Sequence, residues 1–173
     1  MIARHFTTAS TAVALFGIMV GCSKSEGTKE YDVPHSLCGV SLDRALVSEL
    51  LPPGKNIEVQ QNNPVPSRHR CQVNIDGEAA LMLSQEWWRQ GNTVADVARG
   101  IPQLENAKLT DDDGDLHTGT GAVKETRCVS QDHRGQNLFA AVQVFMDGVD
   151  GAEAVRKLVK EYSLAVEKSK MCR

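Results

Sequence analysis

The spacing of its cysteines constrains the fold of this 173-residue chain more than any other feature of the sequence. Cys22 stands near the N-terminus, and Cys38, Cys71, Cys128 and Cys172 follow at wide intervals. In an exported chain an even number of cysteines predicts disulfide bonds, and four cysteines allow three pairings. We favour Cys38–Cys71 and Cys128–Cys172, because each pair joins a residue beside a predicted helix to one in a predicted strand and stays within one half of the chain.

The first 21 residues predict export. They contain no acidic residue, a single arginine at position 4, and an apolar stretch from Thr11 to Val20. That stretch is shorter than the ~20 residues that a transmembrane helix needs. A basic start, a short apolar run and a small residue at its end are typical of a signal peptide. Export would place the cysteines in an oxidising compartment, where disulfides persist.

The apolar stretch ends in the letters IMVGC, and the polar letters SKSEG follow. This segment resembles the bacterial lipobox, in which small or apolar residues precede a cysteine. The resemblance implies that Cys22 becomes the mature N-terminus and carries lipid, which holds the protein at the extracytoplasmic face of the cell membrane. The alternative is an ordinary cleaved signal that leaves Cys22 as a free thiol. We expect a signal peptide over 1–21, a lipidated cysteine with a flexible tether over 22–36, and a single domain over 37–173.

Three helices are predicted from their capping residues and from apolar residues at helical spacing. Ser41 is the expected cap of the first helix, and Pro52–Gly54 ends that helix. Thr93 begins the second helix, with Asp96 completing a capping box. Asp150 begins the third, which is the most strongly amphipathic of the three.

Alternating apolar residues predict about five to six strands. They are expected around Ile57–Val59, Cys71–Ile75, Ala79–Trp88, Leu104–Leu109, Ala122–Val129 and Leu138–Met146. Residues 62–67 are predicted as a loop, and Asp76–Gly77 as a hairpin turn. The order predicts an α+β fold with an antiparallel sheet and helices on one face. A helix–three-strand unit occurs twice, about 50 residues apart, so an internal duplication is possible.

Composition and motifs exclude several classes of function. Nineteen basic against 22 acidic residues, and only 5% aromatic residues, argue against a nucleic-acid partner. The acidic run 111–115 lacks the glycine position and the final glutamate of a calcium-binding loop, and is interpreted as a solvated turn. We predict no catalytic residue, no cofactor and no metal.

Two alternatives to a plain disulfide-braced domain remain open. The spacing of His35 and His69 from Cys38 and Cys71 would allow a Cys2His2 metal site if those cysteines stay reduced. An enzyme site could also be assembled from His35, His69, Glu78 or His117, since active sites need not be local in sequence. Adjacent strand residues face opposite sides, so we expect one of Trp87 and Trp88 to lie in the core and the other to be a possible ligand contact.

The chain resembles small secreted lipoproteins of actinobacteria, whose functions are mostly unknown. The resemblance lies in the lipobox, the polar tether, the letters PHSLC before an amphipathic helix, and a second cysteine in the letters RCQV. It implies a lipid-anchored, surface-exposed domain and transfers no active site. We therefore expect a non-enzymatic binding or interaction module, with an envelope protein or cell-wall component as a possible partner. The alternatives are an envelope enzyme with an unrecognised site and a structural envelope lipoprotein.

Overall fold

A computed structural model describes residues 27–105, 107–109, 114–145 and 151–172. Cys22 and the expected signal peptide lie outside these residues, and so does Asp150, the expected cap of the last helix. In the part of the chain that is described, no helix has both the length and the hydropathy needed to span a bilayer.

Nine strands and three α-helices are formed by the described residues. The strands are β1 (Ser36–Leu37), β2 (Val40–Ser41), β3 (Ile57–Val65), β4 (Arg68–Ile75), β5 (Glu78–Arg89), β6 (Lys108–Leu109), β7 (Asp115–His117), β8 (Gly121–Glu125) and β9 (Gln136–Val144). The helices are α1 (Arg44–Glu49), α2 (Val94–Ala98) and α3 (Ala152–Glu167), with short 3-10 turns at Pro102–Leu104 and Lys170–Cys172.

Seven of the strands form one antiparallel sheet in the order β3-β4-β5-β9-β8-β7-β6, and β1 and β2 form a separate hairpin. The predicted α+β class is confirmed. The strands absent from the prediction are β1, β2 and, within the large sheet, β7, which begins at Asp115 inside the expected acidic turn. Long strands β5 and β9 pair at the centre of the sheet and join its two halves. The second half of the sheet contains four strands, β6 to β9, and not the three of the predicted unit, and the duplication itself stays a prediction.

Helices cover both faces of the sheet, whereas the sequence predicted helices on one face. Helices α1 and α3 pack on the face that carries Leu138, Ala140 and Val142 of β9. Helix α2 packs on the opposite face, against Phe139 and Ala141 of the same strand. Because β9 is apolar at consecutive positions, both of its sides must be shielded from water. On that side of the sheet, the contacts of α2 are mainly with β7 and β8.

The predicted cap of the first helix is wrong. Asp43 caps α1, and its carboxylate accepts hydrogen bonds from the backbone N–H groups of Ala45 (2.8 Å) and Leu46 (3.4 Å). Ser41 lies in β2, where it pairs with Ser36. The β1–β2 hairpin therefore extends through the residue that the sequence pattern assigned to the cap.

The loop predicted over residues 62–67 is also wrong, because β3 extends to Val65. Pro64 is tolerated there since β3 is an edge strand, where a missing backbone N–H faces away from the sheet. The pairing register with β4 shifts between Asn62 and Val65. Of the strand expected over 104–109, only Lys108–Leu109 is extended.

Residues before position 36, the expected end of the tether, already contact the domain. The Tyr31 hydroxyl donates a hydrogen bond to the Pro52 carbonyl, and Val33 is buried in the core beside α1. These contacts hold the segment against the domain, although many of its residues are polar. A flexible tether can therefore include no more than the residues that precede Thr28, whose carbonyl accepts a hydrogen bond from the Gly54 N–H.

Candidate functional site

Two disulfides join the cysteines in the pairing that the sequence analysis favoured. Cys38 and Cys71 have a sulfur–sulfur distance of 2.02 Å, and Cys128 and Cys172 one of 1.99 Å. The alternative metal site is contradicted, because the sulfurs that would bind the metal are bonded to each other. His35 lies instead beside Arg44, with 3.4 Å between its Nε2 and the arginine Nη1. The described residues contain no cluster of three or more potential metal ligands.

A cavity of about 390 Å³ lies on the helix-covered side of the sheet, and it is bordered by the Cys38–Cys71 disulfide and by the turn that the Cys128–Cys172 disulfide anchors. We call it the disulfide cavity. Cys38 and Cys71 form part of one wall. Another wall contains Lys170 and Met171, which belong to the 3-10 turn that Cys172 anchors to Cys128. The two disulfides come from different halves of the chain, yet both fix the boundaries of this one cavity.

A polar pair lies inside the disulfide cavity. Gln85 of β5 is 7% exposed and Tyr162 of α3 is 2% exposed, and both line the cavity. Burial raises the pKa of the Tyr162 hydroxyl, and a hydrogen bond with the Gln85 side chain partly offsets this. The Oε1 atom of Gln85 is buried, and no group of the described residues forms a hydrogen bond with it. A buried polar atom of this kind costs ~1–3 kcal/mol, so a ligand with a matching polar group would stabilise the site.

The described residues that line the disulfide cavity include cations but no carboxylate. Arg70, Lys168 and Lys170 contribute to its lining together with apolar residues such as Leu37 and Val40. The chain as a whole has a net charge of -3, so the cavity is locally more positive than the rest of the protein. This distribution favours ligands that are neutral or anionic.

A second concave site lies on the opposite face of the same two strands. Arg68 and Arg70 alternate along β4 with His69 and Cys71, so their side chains start from the opposite face of the strand, although Arg70 also borders the disulfide cavity. They border a groove of about 300 Å³ between β4, β5 and the residues that follow α2. We call it the arginine groove. Its other walls include Met82, Glu86, Trp88, Gly100–Pro102 and Phe145.

The two predicted ligand contacts have different environments. Trp88 lines the arginine groove, is half-buried, and donates a hydrogen bond from its Nε1 to Glu86 Oε2 at 3.3 Å. Trp87 is 4% exposed and belongs to the core under α1 and α3. Its ring stacks on His133 with 4.3 Å between centroids. Trp88 therefore remains a candidate contact, and Trp87 has a packing role.

The residues proposed for an enzyme site do not converge. His69 pairs with Gln85, and Glu78 lies seven residues away at the other end of β5, about 20 Å along the strand. His117 belongs to β7, which is separated from β4 by four steps across the sheet, about 19 Å at about 4.8 Å a step. His35 contacts Arg44 at the base of α1. Glu78 and His117 are therefore too far from His69 to form one site with it.

A buried acidic group near α3 was missed by the sequence analysis. Asp115 is fully buried, and its Oδ2 lies 3.1 Å from Nδ1 of His117 and 3.6 Å from Nε of Arg156. An aspartate that orients a histidine is part of many hydrolase sites. Within the described part of the chain, however, no hydroxyl or thiol bonds the other ring nitrogen of His117. The contact joins β7 to α3, and a structural role accounts for it.

Comparisons with known proteins yield no relative: no family model, no curated protein and no solved structure matches this chain. Function must therefore be inferred from the geometry and charge of the disulfide cavity and the arginine groove. One sequence signal could have revealed the arginine groove. It is the charged residue at every second position of β4, next to Glu86 and Trp88 of β5. The period of two along a strand places such residues on one face.

Proposed function

We propose that this protein is an extracytoplasmic lipoprotein, anchored through lipid on Cys22, that binds a small ligand in the disulfide cavity. The observation that carries the proposal is the bracing of one cavity by both disulfides. The protein acts as a non-enzymatic binding module in this proposal, and the ligand comes from the cell envelope or its surroundings. A cell-wall component or an envelope protein that presents a small group to the cavity fits the same role.

The bracing by disulfides supports a binding role because it fixes the cavity before the ligand arrives. Cys38 connects the β1–β2 hairpin to β4, and Cys172 connects the last 3-10 turn to Cys128. A site that is ordered in advance loses less conformational entropy on binding. The volume of about 390 Å³ lies within the usual range of small-molecule sites.

The unpaired carboxamide oxygen of Gln85 also supports a ligand. Burial of this atom is unfavourable in the empty cavity, and a donor group on a ligand would remove the penalty. The apolar lining from Leu37, Val40 and Met171 would contact the rest of the ligand. This combination of apolar walls and few polar groups is typical of small-molecule sites.

The anchor is tested by metabolic labelling of a bacterial host with an alkyne analogue of palmitate. We expect label on the wild-type chain and none on Cys22→Ala, with Ser23→Ala as the matched control that keeps the label. Mass spectrometry of the labelled chain should give an acylated N-terminus at residue 22. An unacylated chain that still starts at Met1 would refute the anchor.

The cavity is tested with the fluorescent probe 8-anilino-1-naphthalenesulfonate, which combines aromatic rings with one negative charge. Met171→Trp introduces bulk into the cavity wall, and we expect it to weaken probe binding about tenfold or more through steric exclusion. Leu164→Trp is the control, because Leu164 is 55% exposed on α3. Equal probe affinities for both variants, with unchanged melting temperatures, would contradict the cavity as the binding site.

A further inference from the structure

Arg70 has an unusual environment in the arginine groove. The residue is half-buried, and its Nε is inaccessible and has no hydrogen-bond partner. Within the described residues, no carboxylate, carbonyl or hydroxyl group bonds its guanidinium. Burial of an arginine without a hydrogen-bond partner is unfavourable, because the charged group is desolvated without a compensating interaction. Arg70 is therefore a positive charge in the groove for which the described chain supplies no negative partner.

The neighbouring charges in the groove are already used. Arg68 Nη2 lies 3.0 Å from Glu86 Oε2, and the Glu86 side chain is 7% exposed. The same Glu86 oxygen also accepts the hydrogen bond from Trp88. With two arginines and one glutamate as the charged residues among the described lining, the groove has a net charge of two minus one, or +1. Glu86 therefore pairs with Arg68, and Arg70 can pair with a ligand.

A second buried polar group lies next to Arg70. Ser84 is directly opposite Arg70 in the β4–β5 register, on the same face of the sheet. It is 1% exposed, and its hydroxyl has no hydrogen-bond partner. Two adjacent residues on one face thus both contain polar atoms that the described chain leaves unsatisfied.

The remaining walls of the groove are mostly apolar or aromatic, and Gln143 is their polar member. Met82 belongs to β5, Phe145 directly follows β9, and Val97 and Ile101 come from α2 and the residues after it. Trp88 is held by its hydrogen bond to Glu86, which orders the indole ring before any ligand binds. A flat apolar group could contact these side chains while a charged group meets Arg70.

We infer that the arginine groove is a second binding site, specific for a small organic oxyanion. The ligand carries a carboxylate or phosphate group that pairs with the Arg70 guanidinium, and an aromatic or aliphatic body that contacts Trp88 and Phe145. The planar fork of arginine matches two oxygens of such a group. The groove lies on the opposite face of β4 from the disulfide cavity, and Arg70 borders both. The inference does not rest on the proposed function, because Trp88 and Phe145 line the groove and not the disulfide cavity.

Phenyl phosphate and benzoate are suitable probes, and they distinguish a phosphate from a carboxylate ligand. The sequence contains two tryptophans, so the amide spectrum of the wild-type protein has two indole N–H signals. We expect one or both probes to shift the Trp88 signal and to leave the Trp87 signal in place. Trp88→Phe assigns the two signals. The probe with the lower dissociation constant identifies the preferred oxyanion.

Arg70→Gln should weaken binding of the preferred probe about tenfold or more, since a charge-assisted hydrogen bond is lost. Arg89→Gln is the matched control, because Arg89 is exposed at the end of β5 and lies outside the groove. Arg70→Lys keeps the charge but removes the fork, and should give an intermediate affinity. Circular dichroism of each variant confirms that it is folded, and Met171→Trp in the disulfide cavity should bind the probe as the wild type does.

Three outcomes would overturn the inference. The first is the absence of any Trp88 shift with either probe up to its solubility limit. The second is an equal effect of Arg70→Gln and Arg89→Gln on a folded protein. The third is an affinity for inorganic phosphate equal to that for phenyl phosphate together with no binding of benzoate, because the apolar walls would then contribute nothing.

Discussion

The two faces of strands β4 and β5 are built from the same stretch of chain, yet they differ in almost every property. The face under α1 and α3 contains Val73, Leu81 and Leu83, each 0% exposed, and it borders the disulfide cavity. The opposite face contains Arg68 and Arg70, and the contacts of α2 on that side of the sheet are mainly with β7 and β8. The difference teaches that alternate residues of one strand can serve stability on one side and charge recognition on the other.

Removal of the Cys128–Cys172 disulfide should have the largest effect, and an unequal one on the two faces. The bond spans 44 positions, and loss of a loop of this length lowers the free energy of unfolding by about 4 kcal/mol or less. In the double variant Cys128→Ser/Cys172→Ser, the turn with Lys170 and Met171 is no longer anchored. We expect weaker probe binding in the disulfide cavity and unchanged binding of phenyl phosphate or benzoate in the arginine groove.

Urea unfolding measures the stability loss, and fluorescence and indole titrations measure the two sites. Val129→Ser is a suitable control, because Val129 is 79% exposed directly beside Cys128. It should leave stability and both sites unchanged. If the folded double variant lost affinity equally at both sites, the two faces would not be independent, and the comparison between them would be contradicted.

Adjacent residues of β5 offer a direct comparison of the two faces. Leu83 is fully buried on the covered face, and Leu83→Ala should lower the free energy of unfolding by about 2–5 kcal/mol through the lost burial and the cavity that remains. Met82 faces the arginine groove and is half-buried, so Met82→Ala should cost about 1 kcal/mol. Chemical denaturation of both variants gives the two values. Equal losses would show that the groove side contributes as much packing as the helix-covered side.

The smallest effect is expected at the turn that joins β4 to β5. Hydrogen bonds from the backbone N–H groups of Lys55 and Asn56 lower the pKa of Asp76 below its ordinary value of 3.8. A lowered folded pKa means that the carboxylate stabilises the fold above pH 3.8 and loses this contribution as the pH falls toward the folded pKa. Asp76→Asn should therefore be less stable than the wild type at neutral pH, and the difference should shrink below pH 3.8.

Thermal melting over a range of pH measures this difference. Asp132→Asn is the control, since the Asp132 carboxylate accepts no hydrogen bond from the described residues. A difference between Asp76→Asn and the wild type that stays constant down to low pH would rule out the carboxylate as its cause. Such a result would place the contribution of this turn in its backbone geometry, where both Asp76 and Gly77 have positive φ.

Short-range features of the fold could be predicted from the sequence. The Asp76–Gly77 turn and the Thr93–Asp96 capping box depend on residues within a few positions of one another, and both are present. The disulfide pairing was also predicted, because it followed from the expected strands and helices. These features need little knowledge of how distant segments pack.

Features set by tertiary packing could not be predicted in the same way. Asn62 and Pro64 favour a loop locally, but pairing with β4 extends β3 through them. The arginine groove brings Arg70 together with Phe145, and the disulfide cavity brings Cys38 together with Tyr162, across long sequence separations. Only the strand order β4-β5-β9 and the placement of α3 bring these residues together.

The outer edge of β3 has a consequence for how copies of this protein tolerate crowding. An edge strand of nine residues could recruit a strand from another molecule and start aggregation. Pro64 lacks the N–H that such a recruit would need, the register shift between Asn62 and Val65 disturbs the spacing of the other groups, and Glu58 adds an exposed charge. The edge of β3 is therefore protected against growth into a continuous intermolecular sheet, even where copies of the chain are concentrated.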